Sequence, residues 1–149
     1  MIERKPASPA ANVEDWFARG VALEHEDAEA AIKAYEKAVS ADRSRLDARI
    51  NLGRLLHETG RLARAEQVYR EAMKACGSDP LLLYNLGVLL DDMDRNLDAI
   101  ETYRAALRGD PTLADCHYNL ALLCEKLQKP REAIQHMSQY RRLIASQLE

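Results

Sequence analysis

Cysteine and histidine are the residue types in this sequence that most readily act as nucleophiles, bases or metal ligands. The chain holds three cysteines and four histidines. His117 and Cys124 lie seven residues apart on what is predicted to be one helix, close enough to suggest a catalytic dyad or a metal site. The other cysteines, Cys76 and Cys116, complete no C-x-x-C pair, so neither a zinc site nor a disulfide framework is indicated.

The sequence lacks the motifs of the common catalytic sites. It contains no phosphate-cradling glycine loop, no G-x-S-x-G and no H-E-x-x-H, and most of its six glycines suit packing or turn positions. Cys124 falls in an apolar column with Leu23, Leu56 and Leu90, which favours core packing over a role as nucleophile. The sequence therefore predicts that the protein is not an enzyme and that it holds no cofactor and no metal.

Composition limits the class of protein further. A chain of 149 residues with 47% hydrophobic residues can form one domain with its own core. The net charge of −3 argues against nucleic acid as a partner, because nucleic-acid-binding proteins usually carry a strongly basic face. The N-terminus lacks the apolar stretch of a secretion signal, and no apolar run approaches the ~20 residues of a membrane span. These features predict a soluble, cytoplasmic protein that does not bind membranes.

The elements that position these residues follow an internal repeat. Small residues recur in steps of 33, 34 and 34 residues in one column and of 34 residues in another. The first column holds Gly20, Gly53, Gly87 and Ala121, and the second holds Ala31, Ala65, Ala99 and Ala133; the same register carries Tyr35, Tyr69, Tyr103 and Met137. The register defines four repeats, at 13–45, 46–79, 80–113 and 114–147. Residues 1–12 are predicted to be a flexible lead-in, with Asn12 capping the first helix.

Each repeat is predicted to be a pair of helices. Apolar residues recur at spacings of three and four, which indicates amphipathic helices rather than strands. Gly60 suits a left-handed helix end, Asp79 with Pro80 reads as a cap followed by proline in the first turn, and Pro130 opens another helix. One such hairpin cannot cover its own apolar face, so neighbouring hairpins are expected to stack.

This pattern resembles the tetratricopeptide repeat, on residues spread over 13–147. The resemblance rests on Trp16-x-x-x-Gly20-x-x-Leu23 in the first repeat and on Asn-Leu-Gly at 51–53 and 85–87. It implies an all-α fold, a right-handed α-solenoid of four helix-turn-helix hairpins whose last helix is extended as a C-terminal cap. The fourth repeat departs from the pattern at Ala121 and Tyr140, as expected for a repeat with no neighbour on one side.

The resemblance also implies a function, because in this family the first helix of each hairpin lines a concave groove that binds a protein segment. An asparagine column could pair with the backbone of an extended peptide through amide donors and acceptors, and neighbouring rings could act as apolar anchors. The predicted peptide-binding residues are Asn51, Asn85 and Asn119, the anchors Phe17, Ile50, Tyr84 and Tyr118, and the charged residues Arg54, Asp91 and Glu125. The alternative is that the asparagines bond locally, the rings pack between helices and the charges are solvated surface.

The remaining positions of the predicted lining bias the groove towards negative charge. Acidic residues there outnumber lysine and arginine by eight to two. The acidic residues are Glu14, Glu24, Asp47, Glu58, Asp91, Asp92, Asp115 and Glu125, the basic ones are Arg54 and Lys126, and apolar positions include Val21, Leu81 and Leu122. This charge favours a partner segment that is basic or mixed basic and apolar.

Other interpretations concern assembly and secretion. The last helix has no following helix to cover Leu143, Ile144 and Leu148, so it either folds back or supports a homodimer. The opening Trp16-Phe17 and the closing Tyr140-Arg141-Arg142-Leu143 are similar to repeat domains associated with bacterial MerR-like regulators, which suggests a homo-oligomerisation or assembly domain of a larger system. A secretion chaperone of the tetratricopeptide class is a further alternative.

Overall fold

The computed structural model describes residues 9–148, and over that range every regular element is an α-helix. The helices are α1 (Pro9–Leu23), α2 (Ala28–Ala41), α3 (Leu46–Glu58), α4 (Leu62–Cys76), α5 (Pro80–Asp92), α6 (Asn96–Gly109), α7 (Ala114–Lys126) and α8 (Pro130–Gln147). They form four hairpins, so the predicted all-α fold of helix-turn-helix repeats is confirmed. None of these helices combines the length and the apolar character needed to cross a membrane.

The first helix starts earlier than the sequence pattern predicts. Helix α1 already includes Pro9, which places Asn12 inside the helix rather than at its cap. Proline is tolerated in a first helical turn and the alanines that follow it are strong helix formers, so local propensity extends the helix backwards. The predicted cap at Asn12 is therefore wrong. The backbone of residues 9–12 is helical, and the flexible lead-in over residues 1–12 stays a prediction. The rest of that lead-in, residues 1–8, lies outside the described residues.

The other helix boundaries follow the predicted turn chemistry. The Asp79 carboxylate accepts hydrogen bonds from the backbone N–H groups of Leu81 (2.9 Å) and Leu82 (3.2 Å), with Pro80 in the first turn of α5. Gly60 follows α3 with a φ of 83°, in the left-handed region that favours glycine. Pro130 stands in the first turn of α8. These three predictions are confirmed.

The chain divides into two compact units, each made of two hairpins. Unit 1 ends at Gly77 and contains α1 to α4, with α1 packed on α2, α3 on α4, and α2 on α3. Unit 2 begins at Ser78 and contains α5 to α8, with α5 packed on α6, α7 on α8, and α6 and α5 both touching α7. The two first helices of unit 2, α5 and α7, are thus neighbours.

Close approach between helices explains the glycine and tyrosine columns. A Cβ atom added to Gly20 would lie 2.5 Å from the Tyr35 ring, and one added to Gly87 would lie 2.6 Å from the Tyr103 ring. Both rings are fully buried. Each glycine therefore leaves the space that a flat ring from the second helix of its hairpin occupies.

Candidate protein-binding surface

The predicted site residues of unit 1 form a hydrogen-bonded network around Tyr35. The Tyr35 hydroxyl donates a hydrogen bond to the Glu24 carboxylate, and Asn51 Nδ2 donates one to the Tyr35 oxygen at 3.4 Å. Because the tyrosine proton already points at a carboxylate, Asn51 must present its NH₂ group to that oxygen. Burial, followed by the Glu24 carboxylate, raises the pKa of Tyr35 well above its usual value. One N–H of Asn51 is thus committed to the second helix of the preceding hairpin.

Arg54 joins the same network and connects the two hairpins of unit 1. Its guanidinium lies 2.7 Å from Glu24 on α1 and 3.1 Å from Glu58 on α3. Burial alone lowers the pKa of Arg54, but the hydrogen bonds and charges of the two carboxylates outweigh it and raise the pKa. Arg54, which the sequence predicts to contact a ligand, therefore links the two hairpins of unit 1 through its ion pair with Glu24.

Unit 2 repeats this pattern with different partners. Asn119 Nδ2 on α7 donates to the Tyr84 hydroxyl on α5 at 3.1 Å, which brings two predicted site residues together. Asn85 Nδ2 donates within its own helix to the carbonyl oxygen of Leu81 at 2.9 Å. The Tyr103 hydroxyl donates to Asp91 at 3.3 Å. Asn85 and Asn119 thus each donate one side-chain N–H, and their side-chain carbonyl oxygens take no part in these contacts.

Asp91 gives this network a pH dependence. Burial raises the pKa of the Asp91 carboxyl, and the Tyr103 hydrogen bond only partly opposes that rise. Since the folded pKa lies above the unfolded one, the ionised carboxylate opposes folding at neutral pH, and stability increases as the pH falls through the raised pKa towards about 3.9. Asp91→Asn, which keeps an acceptor for Tyr103, should therefore raise the melting temperature at pH 7.

Thermal unfolding followed by circular dichroism between pH 7 and pH 4 tests this prediction. The advantage of Asp91→Asn over the wild type should shrink as the pH falls, because the wild-type carboxyl becomes neutral as well. Asp115→Asn, an exposed carboxylate on α7, controls for the loss of one negative charge. An advantage that is independent of pH, or equal in both variants, would contradict the role assigned to Asp91.

The predicted apolar anchors differ widely in exposure. Ile50 is only 8% exposed and belongs to the core of unit 1, because it packs between helices. Little of its side chain is left to contact a ligand, and its role as an anchor stays a prediction. Phe17 is half-buried, and its ring centre lies 5.9 Å from the ring centre of Tyr35. The Arg45 guanidinium lies 4.2 Å from the Phe17 ring centre. Tyr118 is 39% exposed and packs against Tyr140 at 5.0 Å. Only Tyr118 among these three offers a broad surface.

Two leucines on the first helices of unit 2 add to that surface. Leu81 on α5 is 49% exposed and Leu122 on α7 is 44% exposed. The sequence register placed both in the predicted lining, but their apolar character was not used to rank them above Ile50. Charged residues, such as Asp47 and Arg54, occupy the same columns elsewhere, but this signal does not decide exposure, because Val88 in the column of Leu122 is half-buried. Tyr118 shares the column of Ile50 and is exposed, so the packing of the helices is what separates the exposed leucines from Ile50.

A cleft lies beside Leu81 in unit 2 and is closed on one side by α8. Its volume is about 270 Å³, and its walls include Leu81, Tyr84, the 112–116 segment and Ile144. Ile144 thus lines this cleft from α8, which continues as one helix to Gln147, and the folding back of the last helix stays a prediction. Ile134 on α8 and Leu148, the residue that follows this helix, remain exposed, and the homodimer through α8 stays a prediction.

The candidate chemical residues are held in structural contacts. Cys124 and Cys116 are buried, and burial raises the pKa of the Cys116 thiol to about 12 and that of Cys124 above its usual value, which keeps both protonated near neutral pH. The His117 ring nitrogens face the Pro111 carbonyl oxygen at 2.9 Å and His136 Nδ1 at 3.0 Å. Within the described part of the chain, no group of His, Cys, Asp and Glu is arranged to hold a metal ion.

Comparison with known families decides the classification. The sequence model of the tetratricopeptide repeat matches residues 21–80 and 84–147, from within α1 to the end of α8. The chain belongs to the tetratricopeptide-repeat family. It is therefore a repeat scaffold of the class that mediates protein–protein interactions, a class that is typically non-catalytic. Nothing in the comparisons supports the resemblance to MerR-like regulators.

Solved tetratricopeptide-repeat structures share this fold. A crystal structure of MamA superimposes with a TM-score of 0.74 and 22% identity, over 83% of this chain and 73% of that one. MamA from Desulfovibrio magneticus RS-1 gives a TM-score of 0.78 and 22% identity, over 93% and 79%. PilF of Pseudomonas aeruginosa gives 0.80 and 22%, over 91% of this chain and 62% of that one. Identities this low concern the fold alone. No curated protein sequence matches the chain.

Proposed function

We propose that this tetratricopeptide-repeat protein is a non-catalytic adaptor that binds an extended polypeptide segment along the first helices of its hairpins. The observation that carries the proposal is the apolar surface of unit 2. Leu81, Tyr118 and Leu122 are exposed on α5 and α7, two helices in contact with each other. Large apolar side chains grouped on one face of a folded unit mark an interaction surface more often than scattered ones do.

The neighbouring asparagines suit recognition of a peptide backbone. In Asn85 and Asn119 one N–H is already bonded inside the unit, which fixes the orientation of the amide. The carbonyl oxygen of each amide is then available to accept a hydrogen bond from a peptide N–H. Such contacts tolerate many ligand sequences, because they involve only the ligand backbone, and the exposed rings and leucines would supply the preference for apolar side chains.

Charge on the same helices favours a basic segment. Asp115 and Glu125 on α7 are exposed carboxylates, and the lysine beside them, Lys126, is paired with Asp94 at 3.3 Å. The surface around Tyr118 and Leu122 is therefore negative, which would steer a segment that carries lysine or arginine. The secretion-chaperone alternative stays a prediction, since such a chaperone would use the same surface for a secreted cargo.

Peptide selection on the purified protein provides the test. A phage-displayed library of extended peptides should yield binders rich in apolar and basic residues, and calorimetry then gives their Kd. Leu122→Ala is expected to weaken binding by about 1–2 kcal/mol, because the ligand no longer buries the leucine side chain.

Leu97→Ala is the matched control for that variant. Leu97 is 75% exposed, more than Leu122, but lies on α6, a second helix. Its substitution should leave the affinity unchanged. Equal effects of the two substitutions, or no effect of Leu122→Ala, would place the ligand elsewhere and overturn the proposed surface.

A further inference from the structure

Unit 1 contains a buried cation at the base of a large cleft. Arg49 on α3 is only 7% exposed and lines a cleft of about 530 Å³ between α2, the α2–α3 turn and α4. The lining residues are Val39, Ser40, Arg43, Arg49, Glu71, Lys74 and Ala75. A guanidinium keeps its charge at physiological pH, and buried charges in proteins are normally paired with an opposite charge.

Arg49 has no such partner in the part of the chain that the structure describes. Its Nε donates to the carbonyl oxygen of Arg43 at 2.9 Å, which is a neutral acceptor. Glu71, the carboxylate of the cleft, accepts from the Gln67 amide at 3.3 Å instead. Among the side chains that the structure describes, those of residues 16–148, no ion pair and no further hydrogen bond engages the terminal nitrogens of Arg49.

The contact with Arg43 does not explain why this residue is an arginine. His117 occupies the same position of the fourth repeat, and its Nε2 contacts the carbonyl oxygen of Pro111, also six residues earlier and also at 2.9 Å. Leu83, at this position of the third repeat, has no polar side chain at all. A single N–H is thus enough to hold the turn, and the remaining guanidinium nitrogens make no bond to another described side chain.

The charges around Arg49 indicate which ligand the cleft would take. Arg43 and Lys74 are exposed cations that line it, and Glu71 is the one carboxylate among its described lining residues. Three positive charges against one negative charge leave an excess of two. We propose that this cleft binds a phosphate monoester, whose dianion matches that excess and whose oxygens suit the forked donors of a guanidinium.

The size of the cleft indicates that the phosphate belongs to a larger molecule. A volume of about 530 Å³ far exceeds that of an inorganic phosphate ion, and Val39 and Ala75 give the walls apolar area beside the Ser40 hydroxyl. The phosphate could belong to a small metabolite or to a phosphorylated side chain. None of the lining residues belongs to the proposed peptide surface of unit 2, so this site can exist whether or not that proposal holds.

Titration of the 149-residue chain with phosphate compounds tests the site. Backbone NMR spectra at pH 8 and constant ionic strength would be recorded against inorganic phosphate, O-phosphoserine, a phosphoserine peptide and its unphosphorylated form, with chloride as the reference anion. Saturable shifts confined to residues near 39–49 and 71–75 are expected with the phosphorylated compounds. Shifts that chloride or the unphosphorylated peptide reproduces, or no shifts at all, would overturn the proposal.

Three variants separate binding from folding. Arg49→His keeps an N–H for the Arg43 carbonyl, as His117 does for Pro111, but is uncharged at pH 8, and it should weaken O-phosphoserine binding about tenfold or more. Lys74→Gln should weaken it about threefold, and Glu71→Gln should strengthen it about threefold. The last two residues are exposed on α4, so they carry the test even if Arg49→His disturbs the turn.

The control variant is Lys33→Gln, which removes one exposed positive charge of unit 1 outside the cleft. It should leave the affinity unchanged, and a loss equal to that of Lys74→Gln would show that net charge alone attracts the anion and would overturn the site. Tighter binding of the phosphoserine peptide than of O-phosphoserine would assign the phosphate to a protein partner. Equal binding of the two would assign it to a small molecule.

Discussion

Replacing Tyr103 by alanine is expected to lower the free energy of unfolding by about 3–5 kcal/mol, the range measured for large aromatic residues truncated in protein cores. The ring is fully buried, lies against Gly87 on the facing helix, and donates its hydroxyl proton to Asp91. Truncation leaves a cavity and removes the hydrogen bond to a partly buried carboxylate. Tyr118→Ala, at an exposed ring of the same unit, should cost less than about 1 kcal/mol.

A double-mutant cycle makes this prediction specific to the contact between ring and glycine. Gly87→Ala alone should cost about 1–3 kcal/mol, because the new methyl group would stand 2.6 Å from the Tyr103 ring. In the Tyr103→Ala background the same change should stabilise by about 0.5–1 kcal/mol, because alanine is the better helix former and the ring is gone. Urea unfolding of the four proteins gives the coupling free energy. Additive effects would show that the glycine column has another cause.

The fourth repeat already contains the compensated pair. It has Ala121 in the glycine column and Met137 in the tyrosine column, whereas the other three repeats pair glycine with tyrosine. A flexible methionine can move aside for a methyl group, whereas a fully buried flat ring cannot. The departure that first marks an end repeat is thus also a consistent packing solution.

Replacing Arg54 by methionine is expected to destabilise unit 1 by about 2–3 kcal/mol, because it removes one member of a largely buried ion pair. The substitution keeps the aliphatic stem but removes the cation that neutralises Glu24, whose side chain is only 11% exposed. An almost buried carboxylate would then keep the Tyr35 hydroxyl as its remaining partner. Leaving one member of a buried ion pair without the other costs more than the pair itself contributes.

Two further variants test this explanation by urea unfolding. Adding Glu24→Gln to Arg54→Met should recover most of the loss, because the neutral amide needs no counter-ion. Arg64→Met removes an exposed ion pair with Glu36, 3.0 Å long, and should cost about 0–1 kcal/mol. If Arg54→Met costs no more than Arg64→Met, the network around Glu24 is solvated surface and not a connection between hairpins.

Much of the fold could be predicted because its signals are local. The cap at Asp79, the left-handed Gly60 and the proline that opens α8 each act within a few residues, so the sequence pattern located these turns. The repeat register then aligned Gly87 with Tyr103 as a small residue and a ring of one hairpin. Local signals gave the wrong start for the first helix: the pattern predicted a cap at Asn12, but the helix propensity of the preceding residues extends α1 to Pro9.

The candidate site was less predictable, because it depends on contacts between residues far apart in the chain. Asn51 and Asn119 each donate one side-chain N–H to a tyrosine hydroxyl on another helix. Ile50 is buried by the neighbouring helices. The repeat register predicts which column a residue belongs to, but it does not predict how deeply that position is buried in each hairpin. The exposed pair Leu81 and Leu122 became distinguishable from Ile50 only when the helices were packed.

The sequence by itself determined the helices, their turns and the repeat that pairs them, since these follow from spacing, caps and small residues within about 34 positions. Tertiary structure decided the grouping of hairpins into two compact units and which side chains remain on the surface. It also decided that Arg49 lies buried, with no ion pair to a described side chain, in a cleft that Arg43, Lys74 and Glu71 also line. Burial and charge pairing depend on which helices meet in space, and a repeat register alone does not specify that.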